Sequence, residues 1–248
     1  MNSVIDFHSH ILPGVDDGSS GVAESIAMLQ SEARQGIRHV VATPHFYPQH
    51  DTPEAFLRRR EAAEALLRKE MQKYSDLPTL SVGAEVYYFP GMSHTEALQG
   101  LTIFHKRCIL IEMGTSPWTD EMYRELDLLH RKQGLIPVIA HLDRYIGRFR
   151  DFGIPERLEK LPVLVQVNAE FFLNRATASM ALRMLKKGRI HLLGSDCHNL
   201  SSRKPNLGDA IEVIRKRLGN GLLEVIQGWQ NQLLQEETKR EGFAALHE

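Results

Sequence analysis

Apolar and polar positions along the chain fall into two alternating kinds of segment. Short β-branched or apolar runs occupy residues 4–7, 39–42, 80–83, 108–111, 136–140, 164–167 and 191–194. They are too short for helices and lack the period-two polarity of a half-exposed strand, so they read as strands buried on both faces. Between them lie stretches with helical spacing. Val22, Ile26, Leu29 and Ala33 share a stripe that stops at Gly36, and Thr52 is an N-cap before Pro53 at the first helical position. Thr119 precedes Met122, Leu126 and Leu129 ahead of Gly134, and Asn206 precedes Leu207, Ile211, Ile214 and Leu218 ahead of Gly219. Seven strand–helix units imply a parallel α/β sheet, and with no dinucleotide fingerprint a TIM-like barrel is favoured over an open doubly wound sheet.

Composition narrows the picture. With 248 residues, 42% hydrophobic and 25% charged, the chain reads as one globular domain over residues 1–248. Its helical extension from about residue 220, carrying Leu222, Val225, Ile226, Trp229, Leu233 and Leu234, either packs outside the barrel or joins subunits in an oligomer. Lys plus Arg (30) balances Asp plus Glu (31), so no global basic field recruits nucleic acid. No secretory pattern and no apolar run of roughly 18 residues is present, and this leads us to expect a cytoplasmic protein without membrane insertion. Two cysteines, Cys108 and Cys197, give neither a disulfide framework nor zinc-finger spacing.

Candidate chemistry gathers at the strand ends, which form the active face of such a barrel. The first run leads into His8 and His10 with Asp17 beyond, and the others lead into His45, Glu85, Glu112 and His141; the last ends in Asp196 and His198. Only the run at 164–167 contributes none. In His-x-His on extended backbone both rings point the same way, and Asp196 with His198 repeats that geometry. Nine candidate ligands are too many for one tetrahedral ion with an open position, and two or three ions sharing a carboxylate would use them. The choice between Asp16 and Asp17 stays open, and His39, His50, His94, His105, His130 and His191 read as surface, helix or core residues. The Arg58–Arg60 run reads as a solvated, mixed-charge helix face, and Phe46, Tyr47, Tyr87, Tyr88, Phe89 and Trp118 follow ligand-bearing strand ends where they could line a cleft.

The segments "HSH", "HILPGVDDGS", "ATPH", "GAE", "IAHLDRY" and "GSDCHN" resemble the PHP (polymerase and histidinol phosphatase) metallo-phosphoesterases over residues 4 to about 218. The nearest branch is that of bacterial protein-tyrosine phosphatases of capsule and exopolysaccharide synthesis. The resemblance implies a distorted (β/α)7 barrel and a trinuclear site. In it His8, His10, Glu85 and Asp196 would hold one ion, Glu85, Glu112 and His141 a second, and Asp17, His45 and His198 a third. Manganese is the expected metal, with zinc, iron or magnesium as alternatives. The implied partner is the phosphotyrosine-bearing tail of a bacterial tyrosine kinase. Leu142-Asp143 replaces the proline and glutamate expected after the strand-five histidine, and residues 114–118 also depart from the pattern.

The expected reaction is phosphomonoester hydrolysis by metal-activated hydroxide, with Arg144 and Arg203 clamping phosphate and Asp17 available for proton transfer. Residues 197–203 have the C-x5-R spacing of cysteine-dependent phosphatases but lack glycine for a phosphate-cradling loop, so Cys197 is not the expected nucleophile. Rival readings are hydrolysis of histidinol phosphate or of a nucleic-acid 3′ end, an amidohydrolase-like activity, and a non-catalytic metal-binding regulator.

Overall fold

The computed structural model describes residues 4–103, 107–146 and 153–235. Its strands are β1 (Asp6–Ser9), β2 (His39–Ala42), β3 (His45–Phe46), β4 (Thr79–Val82), β5 (Glu85–Tyr87), β6 (Cys108–Glu112), β7 (Ile136–Ile139), β8 (Leu164–Asn168) and β9 (Leu192–Gly194). All ladders between them are parallel, in the orders β1-β2-β4 and β3-β5-β6-β7-β8-β9. The result is a parallel α/β fold with a half-barrel sheet.

All seven apolar runs form strands, with three adjustments. The first strand begins at Asp6 rather than Val4, which puts His8 inside the ladder. The second and third strand paths each break in two, at Thr43-Pro44 and at Gly83-Ala84, and continue as β3 and β5. Pro44 has no N–H for a ladder. A Cβ on Gly83 would lie 2.5 Å from the Ile103 side chain, so only glycine fits that bend. Two bonds join β1 to the segment after β9: His10 N–H to the Cys197 carbonyl and Asp196 N–H to the His8 carbonyl, both 2.8 Å.

Strand alternation sorts the core. Phe7, Val41, Leu110, Val138, Leu164 and Leu192 fill the inner side of the sheet. Val40, Ile109, Ile111, Ile139 and Val165 pack outward against helices. Each such buried side chain contributes about 1.5–3 kcal/mol. The helices are α1 (Val22–Arg34), α2 (Pro53–Met71), α3 (Asp120–Gln133), α4 (Ile154–Leu158), α5 (Glu170–Leu173), α6 (Ala178–Lys186), α7 (Leu207–Leu218) and α8 (Gly221–Gln235). The Thr52 hydroxyl accepts from Ala55 N–H and that of Thr119 from Met122 N–H, while Gly134 closes α3 at φ 67°.

Three expectations need correction. In α1 the buried face carries Ser25, Ile26, Met28, Leu29 and Glu32, and Val22 and Ala33 lie only at its margin. Arg60 is not on a solvated face: it is 2% exposed, and its guanidinium donates to the Gly83 and Gly100 carbonyls, bracing the β4–β5 bend. Helix α8 does not merely lie outside. Leu233 joins the inner cluster, and the Gln230 amide bonds both the N–H and the carbonyl of Ile5. Among the described residues no helix is long and apolar enough to cross a membrane.

Candidate metal centre

All nine strand-end residues converge. Glu85 is the hub: its carboxylate lies 3.2 Å from His8 Nε2, 3.3 Å from His10 Nε2, 3.0 Å from His45 Nδ1 and 2.8 Å from His141 Nε2. Asp196 Oδ1 is 3.7 Å from His8 Nε2 and 3.4 Å from His10 Nε2. Glu112 reaches both His45 and His141 at 3.7 Å. Asp17 Oδ1 stands at the exposed mouth, 3.6 Å from His45 Nε2 and 3.4 Å from His198 Nε2. Three overlapping groups of ligand atoms result: His8, His10 and Glu85; His45, Glu85 and Glu112; and His10, Asp17, His45 and His198.

The adjacent aspartates have different placements. Asp16 lies 2.6 Å from His10 Nδ1 and accepts from the N–H groups of Gly18 and His45, while Asp17 faces the ring nitrogens of His45 and His198. These partners outweigh burial and hold the Asp16 carboxyl well below the usual carboxylate range. A Cβ on Gly18 would lie 2.1 Å from the His10 carbonyl oxygen, so the "DDG" glycine lets this loop fold back on its own ligand strand.

Backbone strain marks the same place. Among the described residues the only non-glycine positions with positive φ are His141 (34°) and Asp196 (54°). Each costs on the order of 1–3 kcal/mol and persists where the surroundings over-determine it. Electrostatics agree. Burial resists charging of His8, but Glu85 and Asp196 outweigh it and raise its pKa. His10 is likewise raised by Asp16, Asp196 and Glu85 against its burial. Burial and the His10 charge push His198 down to about 3.

These residues suit divalent cations. His8 Nε2 and His10 Nε2 face each other at 3.2 Å, and ion–ligand bonds near 2.0–2.1 Å would put tetrahedral ligand atoms about 3.3 Å apart. Glu85 Oε2, Glu112 Oε2 and His198 Nε2 are buried without a hydrogen bond, a costly state for polar atoms that an ion would relieve. Both arginines lean on Asp196, Arg144 on Oδ2 and Arg203 on Oδ1, the latter at 2.7 Å. Their side chains are 37% and 36% exposed, so both remain open to a ligand.

Other candidates divide. Tyr47 stacks on His45 with ring centroids 4.9 Å apart and, with Asp17, His50, Asp51 and Arg59, lines a cleft of about 580 Å³ beside the cluster. Trp118 and Phe46 do not line it, since Trp118 packs on Tyr123 and Tyr145, and Phe46 on Phe56. His39 bonds Ser81 and His191 bonds Val165 N–H, both as supports of the fold; His105 lies outside the described residues. Cys197 is fully buried, and burial first, then Glu32 and Asp6, push its thiol well up.

Two participants escaped the sequence reading. Gln166 and Asn168 on β8 bond His8, His141 and Asp196. Their signal was present as two amides inside an otherwise apolar strand, since a buried amide needs partners.

A parallel α/β fold with imidazole and carboxylate groups gathered at its strand ends is an architecture used by metal-dependent hydrolases. The chain belongs to the CpsB/CapC family of capsular polysaccharide synthesis, whose model matches residues 4–233. It is 30% identical over 231 residues to the tyrosine-protein phosphatase CpsB of Streptococcus pneumoniae, covering 87% of this chain and 91% of that one. It is 29% identical over 244 residues to the tyrosine-protein phosphatase YwqE of Bacillus subtilis, covering 95% and 93%. A crystal structure from a study of YwqE and CpsB, described as unique metal-dependent tyrosine phosphatases, superposes with a TM-score of 0.82 at 28% identity, covering 95% of this chain and 96% of that one.

Proposed function

We propose that the chain is a single-domain, cytoplasmic, metal-dependent protein-tyrosine phosphatase. Its substrate is the phosphorylated tail of a bacterial tyrosine kinase that regulates capsule or exopolysaccharide synthesis. The observation that carries this reading is the gathering of nine imidazole and carboxylate groups into one cluster, Glu85 and Asp196 among them, with two half-exposed guanidiniums at the rim. The fold inferred for it is a distorted seven-stranded barrel, supported by the bonds between β1 and the segment after β9.

His8, His10, Glu85 and Asp196 are assigned to one divalent ion, Glu85, Glu112 and His141 to a second, and Asp17, His45 and His198 to a third, with manganese the first choice. Such ions supply Lewis acidity, lowering the pKa of water and neutralising charge on phosphoryl oxygens. They also correct the field: the four ligand carboxylates outnumber the two guanidiniums, so the chain alone would repel a phosphate dianion.

Arg144 and Arg203 orient the phosphate, because a guanidinium offers paired donors to its oxygens. Each exchanges part of its hold on Asp196 for the substrate. Asp17, at the mouth, would relay to the leaving phenolate the proton lost by the attacking water, and the modest basicity of a phenolate makes a strong general acid unnecessary. The cleft beside His45 offers the Tyr47 ring to the substrate's phenyl group. Cys197 takes no part, since a buried thiol with a raised pKa is a poor nucleophile.

Side-by-side turnover of a phosphotyrosyl peptide, histidinol phosphate and a single-stranded oligonucleotide tests the assignment. The phosphotyrosyl peptide is expected to be hydrolysed fastest. Faster turnover of either alternative would reject the substrate, and no hydrolysis with any divalent ion would favour a non-catalytic regulator.

A further inference from the structure

Strand β8 is the one apolar run that ends in no candidate ligand, yet it carries two amides that reach three ligand-bearing strand ends. Gln166 and Asn168 are two residues apart, so their side chains share a face of the strand. Gln166 Oε1 accepts the His141 N–H at 2.6 Å and lies 3.2 Å from His8 Nδ1. Gln166 Nε2 donates to Asn168 Oδ1 at 3.1 Å, and Asn168 Nδ2 donates to Asp196 Oδ2 at 2.8 Å.

The polarity of this chain of bonds is forced from both ends. A backbone N–H only donates, so the oxygen of Gln166 must face His141 and its NH2 group must face Asn168. An ionised carboxylate only accepts, so Asn168 must present its NH2 group to Asp196. At the His8 end, an amide oxygen demands a proton on Nδ1. In the neutral ring that metal ligation requires, this leaves the lone pair on Nε2, the atom 3.2 Å from Glu85 Oε2 and 3.2 Å from His10 Nε2.

We propose that Gln166 and Asn168 are positioning residues: a two-amide relay that fixes the His8 tautomer and the orientation of the Asp196 carboxylate, and so sets metal affinity. The relay rests on reading His8, His141 and Asp196 as ligands. Outer hydrogen bonds of this kind fix ring orientation and ligand basicity, and their loss typically costs roughly 10–100-fold in metal affinity.

The test uses the full chain stripped of metal and titrated with Zn²⁺ against a competing chelator, for the wild type, Gln166→Met and Gln166→Glu. Methionine keeps much of the volume but none of the three bonds, while glutamate keeps the acceptor for His8 and His141. The relay predicts that Gln166→Met weakens Zn²⁺ binding roughly 10–100-fold and Gln166→Glu by less. A residue that only fills space predicts the reverse, because methionine packs and a buried carboxylate does not. Wild-type affinity in Gln166→Met, or weaker binding in Gln166→Glu than in Gln166→Met, overturns the relay. A check independent of variant folding is the 15N spectrum of the Zn²⁺-loaded wild type: His8 protonated on Nδ1 supports the relay, and protonation on Nε2 overturns it. A wild type that binds no Zn²⁺ would instead remove the metal reading, and the relay with it.

Discussion

Replacing Arg203 by methionine removes one guanidinium and leaves every proposed ligand in place. Its Nη2 lies 2.7 Å from Asp196 Oδ1 and its side chain is 36% exposed, so it is anchored beside the cluster yet reachable from solvent. Between unit charges 4 Å apart the Coulomb energy near a protein surface is about 4 kcal/mol at an effective dielectric of 20. Exposure, salt and the competing pull of Asp196 reduce this to the range of a charge-assisted hydrogen bond, about 1.5–3 kcal/mol. At about 1.4 kcal/mol per decade, kcat/KM for a phosphotyrosyl peptide falls roughly 10- to 150-fold. Because Arg144 holds the other oxygen of the same carboxylate, the two arginines share a partner, and Arg144→Met with Arg203→Met should deviate from additivity. Lysine at 203 should restore only part of the loss, since an ammonium cannot offer the paired fork. The assay is steady-state hydrolysis alongside metal content. Unchanged kcat/KM in Arg203→Met would refute the clamp, and a loss matched by lost metal would move the residue's role to holding Asp196.

Cys197→Ala should keep near-wild-type kcat, because the thiol is fully buried and pushed well above its ordinary pKa; loss of turnover with metal retained would restore the cysteine reading. Glu32 is fully buried beside Asp6, and its pKa is raised well above 4.5, first by burial and then by the Asp6 charge. An acid raised on folding contributes stability that is complete below its unfolded pKa and is lost as pH climbs through the folded value. Glu32→Gln should therefore flatten the decline in melting temperature of the metal-free protein as pH rises above the ordinary carboxylate range, and a decline as steep as that of the wild type would contradict this. A Cβ on Gly194 would lie 2.5 Å from His8 Cβ and 3.0 Å from His8 N, so Gly194→Ala must part β1 from β9. It should cost about 1–3 kcal/mol in denaturant unfolding, and an unchanged midpoint would argue that the contact is looser.

Much of the site was legible because its chemistry is concentrated at positions with a simple geometric rule. Strand ends on one face of a parallel sheet meet, so His8, His45, Glu85, Glu112, His141 and Asp196 could be grouped without knowing any contact. Helix limits at Thr52, Thr119 and Gly134 were equally plain, because caps are local. What stayed hidden depended on distant partners. Asp16 and Asp17 are indistinguishable in sequence, and only the fold of the loop over Gly18 turns one toward the His10 Nδ1 and the other toward the ring nitrogens at the mouth. Arg60 looked like its exposed neighbours until the β4–β5 bend supplied carbonyls for its guanidinium. Trp118 follows Glu112 in the chain but turns into the core beside Tyr145, a placement that no periodicity announces. Two strands broke at Pro44 and Gly83, residues visible in the sequence, although the exchange of ladder partners at the breaks was not.

Metal content and turnover measured on the same samples test the central claim most directly. Purified chain is analysed for bound elements and assayed on a phosphotyrosyl peptide before EDTA treatment, after it, and after return of manganese, zinc, iron or magnesium singly. Two or three divalent ions per chain, with activity that leaves and returns with them, is the predicted result. Full turnover from a chain shown to hold no divalent ion would contradict the account.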